Sequence, residues 1–427
     1  MEPEPLRRPI RLVVRDDLER SRLTVFFRLL LAIPHYVWIA LWSLAAVLVA
    51  VILWIATLTQ GRPPRELHAF VSSFVRYSTH VAAYLYLGAS PYPGFTGNPG
   101  YPVDVEIDPP SRQNRWTVAF RLVLVLPAIL LSTLLSSGAS TGWGSASGAT
   151  FFFGGGVLSV AALLGWFACL ARGRMPKGLR DLVAYGVGYG AQVTGYLFLL
   201  TDRYPSSDPE LVEPLPELPG HPVRLAIREG LGRSRLTVLF RLLLTLPHIV
   251  WLALWFVAVV PAAIAAWVAA LVAGRTPRPL HRFLAAYIRY SSHVFAFLMI
   301  VGGLFPGFTG AQGVYPIDYE LDPPTRQRRV TVAFRLVLAL PALMLAGALS
   351  AVVYAVGLLG WFAALATGRM PKGLRDLGAT SIRYQAQTYA YLLLVTGRYP
   401  YASPVVEGRR VDEQLVLELE PAPGAPA

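Results

Sequence analysis

The sequence predicts a mainly α, polytopic membrane protein built from four repeated units, and three observations carry that prediction. Residues 29–61, 242–274 and 336–368 contain no Asp, Glu, Lys or Arg over 33 positions each, and residues 122–171 contain none over 50. A bilayer core is spanned by about 20 apolar residues. The chain of 427 residues is 54% hydrophobic and 15% charged, against about a quarter charged in a soluble domain, so it is too short to hide four such runs in a core. Finally, one segment is written four times: "RSRLTVFFRLLLAIPH" (20–35), "NRWTVAFRLVLVLPAI" (114–129), "RSRLTVLFRLLLTLPH" (233–248) and "RRVTVAFRLVLALPAL" (328–343).

Aligning these segments places Thr24, Thr117, Thr237 and Thr331 in register, with Arg28, Arg121, Arg241 and Arg335 four residues on. Pro34, Pro127, Pro247 and Pro341 follow, and Gly-Arg pairs recur at 61–62, 173–174, 274–275 and 368–369. Fixed offsets of this number mark internal repetition. The units alternate, because one and three share "RYSTH" or "RYSSH", whereas two and four share "GRMPKGLRDL". The chain therefore reads as a duplicated pair. The first half is 1–205, with units at about 8–95 and 101–205. The acidic, Pro-rich 206–219 is a linker. The second half is 220–404, with units at about 220–308 and 315–404, and a tail, 405–427, carries a further expected strand at 413–420.

Each unit opens on an alternating stretch, "IRLVVR", "VDVEID", "VRLAIR" or "IDYELD", whose period of two argues strand. The charges are basic in units one and three (Arg11, Arg15, Arg224, Arg228) and acidic in two and four (Asp104, Glu106, Asp108, Asp318, Glu320, Asp322). Opposite charges on neighbouring strands attract, so a basic strand is expected to pair with an acidic one. The opening segment then reads as an interfacial helix in which Arg28 snorkels to phosphates and Pro34 kinks the chain into the bilayer. The run that follows would make a helix of roughly 50 Å, longer than a ~30 Å core. Unit two inserts 19 more residues of Ser/Gly text there, which a loop tolerates better than a helix in lipid. A hairpin of two short helices is therefore favoured over one long span. An amphipathic helix closes the unit; it lies flat under the hairpin reading and crosses back under the single-span reading. Either way each unit crosses an even number of times. The strands and the N-terminus are then cytoplasmic, and the repeats parallel, related by an axis along the membrane normal.

The "RLTxxFRLLLxIPH" opening, the "GRxPxxL" that starts the third helix and the closing "DRYP" (202–205) resemble the bacterial membrane proteins grouped as domain of unknown function 4389. The resemblance runs over nearly the whole chain apart from linker and tail. It implies a membrane fold and no activity.

Function is read more sparingly. The net charge of +13 comes from 38 basic residues, of which Lys177 and Lys372 are the only lysines. That usage suggests a GC-rich, bacterial genome and an inner-membrane location. The arginines flank apolar runs, so anionic lipid and the positive-inside rule explain them better than nucleic acid. No signal peptide is expected, since the first 22 residues carry six Arg and five acids. The single Cys169 precludes intrachain disulfides. Imidazole suits Zn, Cu or Fe, but no carboxylate, Cys or Met stands at ligand spacing from His35 or His80, so no metal or cofactor is expected. No nucleophile–base pair emerges, so an enzyme is not expected either. The favoured reading is a structural or lipid-associated module, with a protein partner or homo-oligomer left open. Its lipid contacts would come from Arg28, Arg121, Arg241 and Arg335 with Arg62, Arg174, Arg275 and Arg369. The alternative is a transporter or channel whose path between the halves is lined by Arg76, His80, Arg289, His293 and Arg383, a cationic lining that favours anions.

Overall fold

A computed structural model describes residues 8–137, 155–209, 212–213, 221–227 and 230–404. The expected tail strand, the Ser/Gly insertion and most of the linker lie outside the described residues. The chain divides within the linker into two compact units, each holding two repeats.

In the first half, β1 (Ile10–Val14) is followed by α1 (Arg22–Phe26), α2 (Arg28–Gln60) and α3 (Arg65–Leu85). The second repeat contributes β2 (Val103–Ile107), α4 (Arg115–Ala119), α5 (Arg121–Leu124), α6 (Leu126–Ser136), α7 (Val157–Arg172) and α8 (Lys177–Leu197). A two-residue strand, β3 (Val212–Glu213), pairs parallel to β1. The second half repeats the plan with β4 (Val223–Ile227), α9 (Arg235–Leu239), α10 (Arg241–Ala273), α11 (Arg278–Leu298), β5 (Ile317–Leu321), α12 (Arg329–Ala333), α13 (Arg335–Thr367) and α14 (Lys372–Leu392).

The favoured hairpin does not form. α2, α10 and α13 are each one continuous helix of 33 residues. Residues 40–56 contain no Gly, Pro, Asn or Asp, so nothing in the middle of the run can turn without stranding backbone groups among apolar side chains, at several kcal/mol each. Pro34, Pro247, Pro261 and Pro341 sit inside these helices, because losing one rung costs less than abandoning the ladder. The interruption falls instead at Phe27, Phe120, Phe240 and Phe334, just ahead of each motif arginine. In unit two, α6 and α7 take the place of one long helix. The Ser159 hydroxyl donates to the Ser136 carbonyl at 2.9 Å, which joins the start of α7 to the end of α6. Each long helix ends on a left-handed glycine, Gly61, Gly173, Gly274 or Gly368, with φ near 70°. That conformation is open to glycine at little steric cost.

α3 and α8 pack side by side, flanked by α2 and by α6–α7, and the strand ribbon lies along this central pair. The helices α10, α11, α14 and α13 repeat the arrangement. The expected pairing of basic with acidic strands is present: β1 runs antiparallel to β2 with Arg11 opposite Glu106, and β4 antiparallel to β5 with Arg224 opposite Glu320. Arg11 Nη2 meets Glu106 at 2.7 Å, and Arg224 Nη2 meets Glu320 at 3.3 Å.

The two repeats of a half are not parallel. Trp54, near the C-terminal end of α2, donates to Val118 O in α4, immediately ahead of the second long helix. Trp166, near the end of α7, donates to Val25 O in α1. Trp267 to Val332 O and Trp361 to Val238 O repeat the exchange in the other half. Each long helix therefore starts where its partner ends, and the two are antiparallel. The connection after α3 makes this possible, because it runs back along that helix from His80, which meets Asp104, to Gly61, whose carbonyl accepts from Gln113 N. The strands thus lie beside the amphipathic helices and not beyond their ends.

At the entry to β4, buried His221 accepts the Val223 N–H on Nδ1. Burial depresses its pKa from 6.5 to about 4. The folded state binds this proton less readily than the unfolded chain, so stability falls as pH drops from 6.5 towards 4. His221→Gln should flatten that part of the pH–stability curve, and thermal melts at half-unit pH steps would show it; an unchanged slope would contradict the assignment.

Candidate functional site

The arginine of the opening motif does not reach the surface. Arg28, Arg121, Arg241 and Arg335 are 1–3% exposed. Each guanidinium lies over an aromatic ring of the amphipathic helix in its own unit: Tyr84 at 4.2 Å, Tyr196 at 4.1 Å, Phe297 at 4.3 Å and Tyr391 at 4.0 Å. The charge also meets backbone carbonyls at that helix's C-terminus. Arg28 donates to Tyr84 O and Ala89 O, Arg121 to Tyr196 O and Thr201 O, Arg241 to Gly303 O, and Arg335 to Thr396 O. A helix leaves its last carbonyls unpaired and carries negative potential there, so a cation in this place satisfies both.

The chain bends at the same spot. Leu87, Leu199, Ile300 and Leu394 all adopt positive φ of 60–64°, an outlying conformation for bulky residues. Their carbonyls turn toward a second donor eight residues before the clamp arginine: Arg20 for Leu87, Gln113 for Leu199, Arg233 for Ile300 and Gln327 for Leu394. Asp16 holds Arg20 at 2.7 Å. Asp202, the acid of "DRYP", accepts from Arg121 at 3.2 Å. The sequence did carry a signal for the aromatic partner. It recurs 56 residues after the arginine in units one, three and four, and 75 after it in unit two, which has the insertion.

The residues expected to line a polar path form a second, twice-repeated cluster. His80 Nε2 lies 2.8 Å from Asp104 Oδ1, and Arg76 Nε 3.5 Å from it. His293 and Arg289 stand 3.2 and 3.0 Å from Asp318. Tyr101 stacks on His80 and Tyr315 on His293. No carboxylate stands at ligand spacing from His80 in the sequence; Asp104, 24 residues on, is delivered across the helix by the ribbon. Burial pushes both aspartates up, but hydrogen bonds from the histidine and from backbone N–H groups outweigh it and hold them below the ordinary carboxylate value. Arg383 is buried in α14, its charge acting on Tyr319. His35 lies apart from His80, with Nδ1 2.7 Å from Tyr77 OH and its ring against Tyr92 and Phe95; His248 repeats this with Tyr290, Phe305 and Phe308.

Arg62, Arg174, Arg275 and Arg369 are exposed, each just past the glycine that ends a long helix. Arg62 lends Nε and Nη2 to Pro110 O. Because the long helices are antiparallel, these arginines stand at both ends of each half. In α2 the stripe Arg28, Ala32, His35, Ala46, Leu53 and Thr57 is buried, while Leu29, Leu41, Leu44 and Leu48 are 60–73% exposed. Among α10, α11, α13 and α14 an uncharged cleft of about 360 Å³ presents Thr245, Ser291 and Gln385, which no local sequence pattern announced.

Three described helices, Arg28–Gln60, Arg241–Ala273 and Arg335–Thr367, are long and apolar enough to cross a membrane. With the arginine-clamped repeats they define the class of the chain: a mainly helical fold whose longest helices have the length and composition of membrane spans. The chain belongs to the family described as Domain of unknown function (DUF4389), whose profile matches residues 22–96, 149–207, 235–303 and 329–403. Three of these segments run from just before the clamp arginine to the carbonyls it holds or just past them. The match is narrower than the near-complete coverage expected, since the strand-bearing stretches fall between segments. No curated protein and no solved structure matches the chain.

Proposed function

We propose that the protein is a lipid-associated structural module of the cell membrane, whose apolar long helices cross the bilayer and whose exposed arginines hold anionic headgroups at both ends. The observation that supports this reading is the division of the eight repeated arginines. Four are spent on carbonyls within their own repeat, and Arg62, Arg174, Arg275 and Arg369 face outward at the ends of apolar helices. A helix of about 50 Å overshoots a ~30 Å core and carries its ends into the headgroup layers. Each arginine near an anionic surface is worth about 1 kcal/mol.

Changing these four residues to Gln should reduce the anionic lipid retained per protein severalfold, read by native mass spectrometry from mixed-lipid nanodiscs. The thermal midpoint should move little, since exposed substitutions of this kind stay within about 0.5 kcal/mol each. Unchanged enrichment of anionic over neutral lipid would overturn the reading.

A further inference from the structure

The second half carries a basic groove beside α11. A space of about 530 Å³ opens between the N-terminal half of α11 and the loop after β5, walled by Arg278, His281, Arg282, Arg289, Gln312 and Asp322. Arg278, Arg282 and Arg289 sit four and seven residues apart, on one stripe of the helix. Their charges are not equally available. Arg289 is matched by Asp318 at 3.0 Å and donates to Tyr319 O. Asp322, the carboxylate on the wall, is drawn to Arg224 at 3.4 Å. His281 Nε2 is engaged with Val395 O at 3.1 Å. Arg278 and Arg282 are exposed and meet no acidic partner among the described residues.

Two unneutralised guanidiniums on the rim of a groove of this volume fit one ligand chemistry. Guanidinium forks match phosphate oxygens in paired hydrogen bonds, and the volume falls in the range of sites for small organic molecules. We propose that this groove is a specific site for a phosphate-bearing anion of headgroup size, gripped by Arg278 and Arg282. Counting from Gly61 and Gly274, Arg282 is replaced by Ala69 in the first half, and Pro279 by Glu66, which sets a negative charge beside Arg65. The paired cations therefore belong to the second half. The phosphate can come from a lipid headgroup or from a soluble ester. The lipid source rests on the membrane reading given above, because α11 starts at the end of α10; the soluble source does not depend on it.

The test uses the full chain in phosphatidylcholine nanodiscs, with two probes: glycerol 3-phosphate in solution, and phosphatidic acid at a few per cent in the disc. Native mass spectrometry and calorimetry should show one saturable equivalent of one probe on the wild type. R278Q/R282Q should weaken it at least tenfold with the thermal midpoint unchanged, and A69R/E66Q should give the first half a measurable second equivalent. Saturation by glycerol 3-phosphate assigns a soluble ligand, and saturation by phosphatidic acid alone assigns a headgroup. The Gln variant of Arg62, Arg174, Arg275 and Arg369 separates the two readings. If it keeps the single equivalent and leaves bulk enrichment untouched, the general lipid role falls and the groove stands. Wild type that saturates with neither probe, or R278Q/R282Q that binds as wild type does, overturns the groove.

Discussion

Arg28→Met should lower the thermal midpoint by roughly 10 °C. Methionine fills much of the same space but donates nothing, so Ala89 O loses its donor and Tyr84 O keeps only the Leu87 N–H, in a site where Arg28 is 3% exposed. A buried acceptor left unpaired costs about 1–3 kcal/mol, and the lost ring contact adds about 0.5–2 kcal/mol. The strained turn at Leu87, with φ 63°, loses one of the partners that fix it. For a compact unit of this size each kcal/mol moves the midpoint by about 2–4 °C. Arg62→Met, an exposed change at the other end of the same helix, serves as the control. Melting of both variants in one detergent decides the matter: an R28M protein as stable as R62M would mean that the clamp carries nothing.

Asp318→Asn should cost about 3–5 kcal/mol, because it removes the counter-charge of a buried cation. The Arg289 side chain is 9% exposed and that of His293 3%, so water cannot replace the carboxylate. The equivalent Asp104→Asn should cost less, since Arg76 is 20% exposed and 3.5 Å away. The pH dependence has a fixed sign. Both aspartates are held below their ordinary value of 3.8. Their contribution is complete above that value and is lost as pH falls through the lower folded-state pKa. Wild type should therefore lose stability more steeply below pH 4 than Asp318→Asn does. Asp318→Leu combined with Arg289→Leu should recover part of the loss, because the uncompensated charge is gone. A double variant no better than the single one would place the cost elsewhere.

Residues such as Arg28 show how far local sequence reaches. A guanidinium four residues past a threonine in an apolar helix is written identically whether it snorkels to phosphate or caps another helix. The choice depends on what lies within about 3 Å, and that is supplied by Tyr84 and Ala89 some 60 residues away. The same holds for His80, whose carboxylate partner comes from a strand, and for Arg278 and Arg282, whose groove exists only once the loop after β5 folds back beside α11. The Ser/Gly insertion misled for a related reason. A polar insertion shows that a helix can be interrupted in one repeat, and it says nothing about the direction the chain takes afterwards.

The sequence by itself determined the four repeats, the apolar runs, the amphipathic third helix and the pairing of basic with acidic strands. Each of these is fixed by periodicity, composition or charge sign within a few residues. Tertiary structure decided that each run is a single helix, that paired repeats are antiparallel and that half of the repeated arginines are buried. Those outcomes turn on unpaired carbonyls and on counter-charges, whose partners are distant in the chain and become neighbours only when it folds.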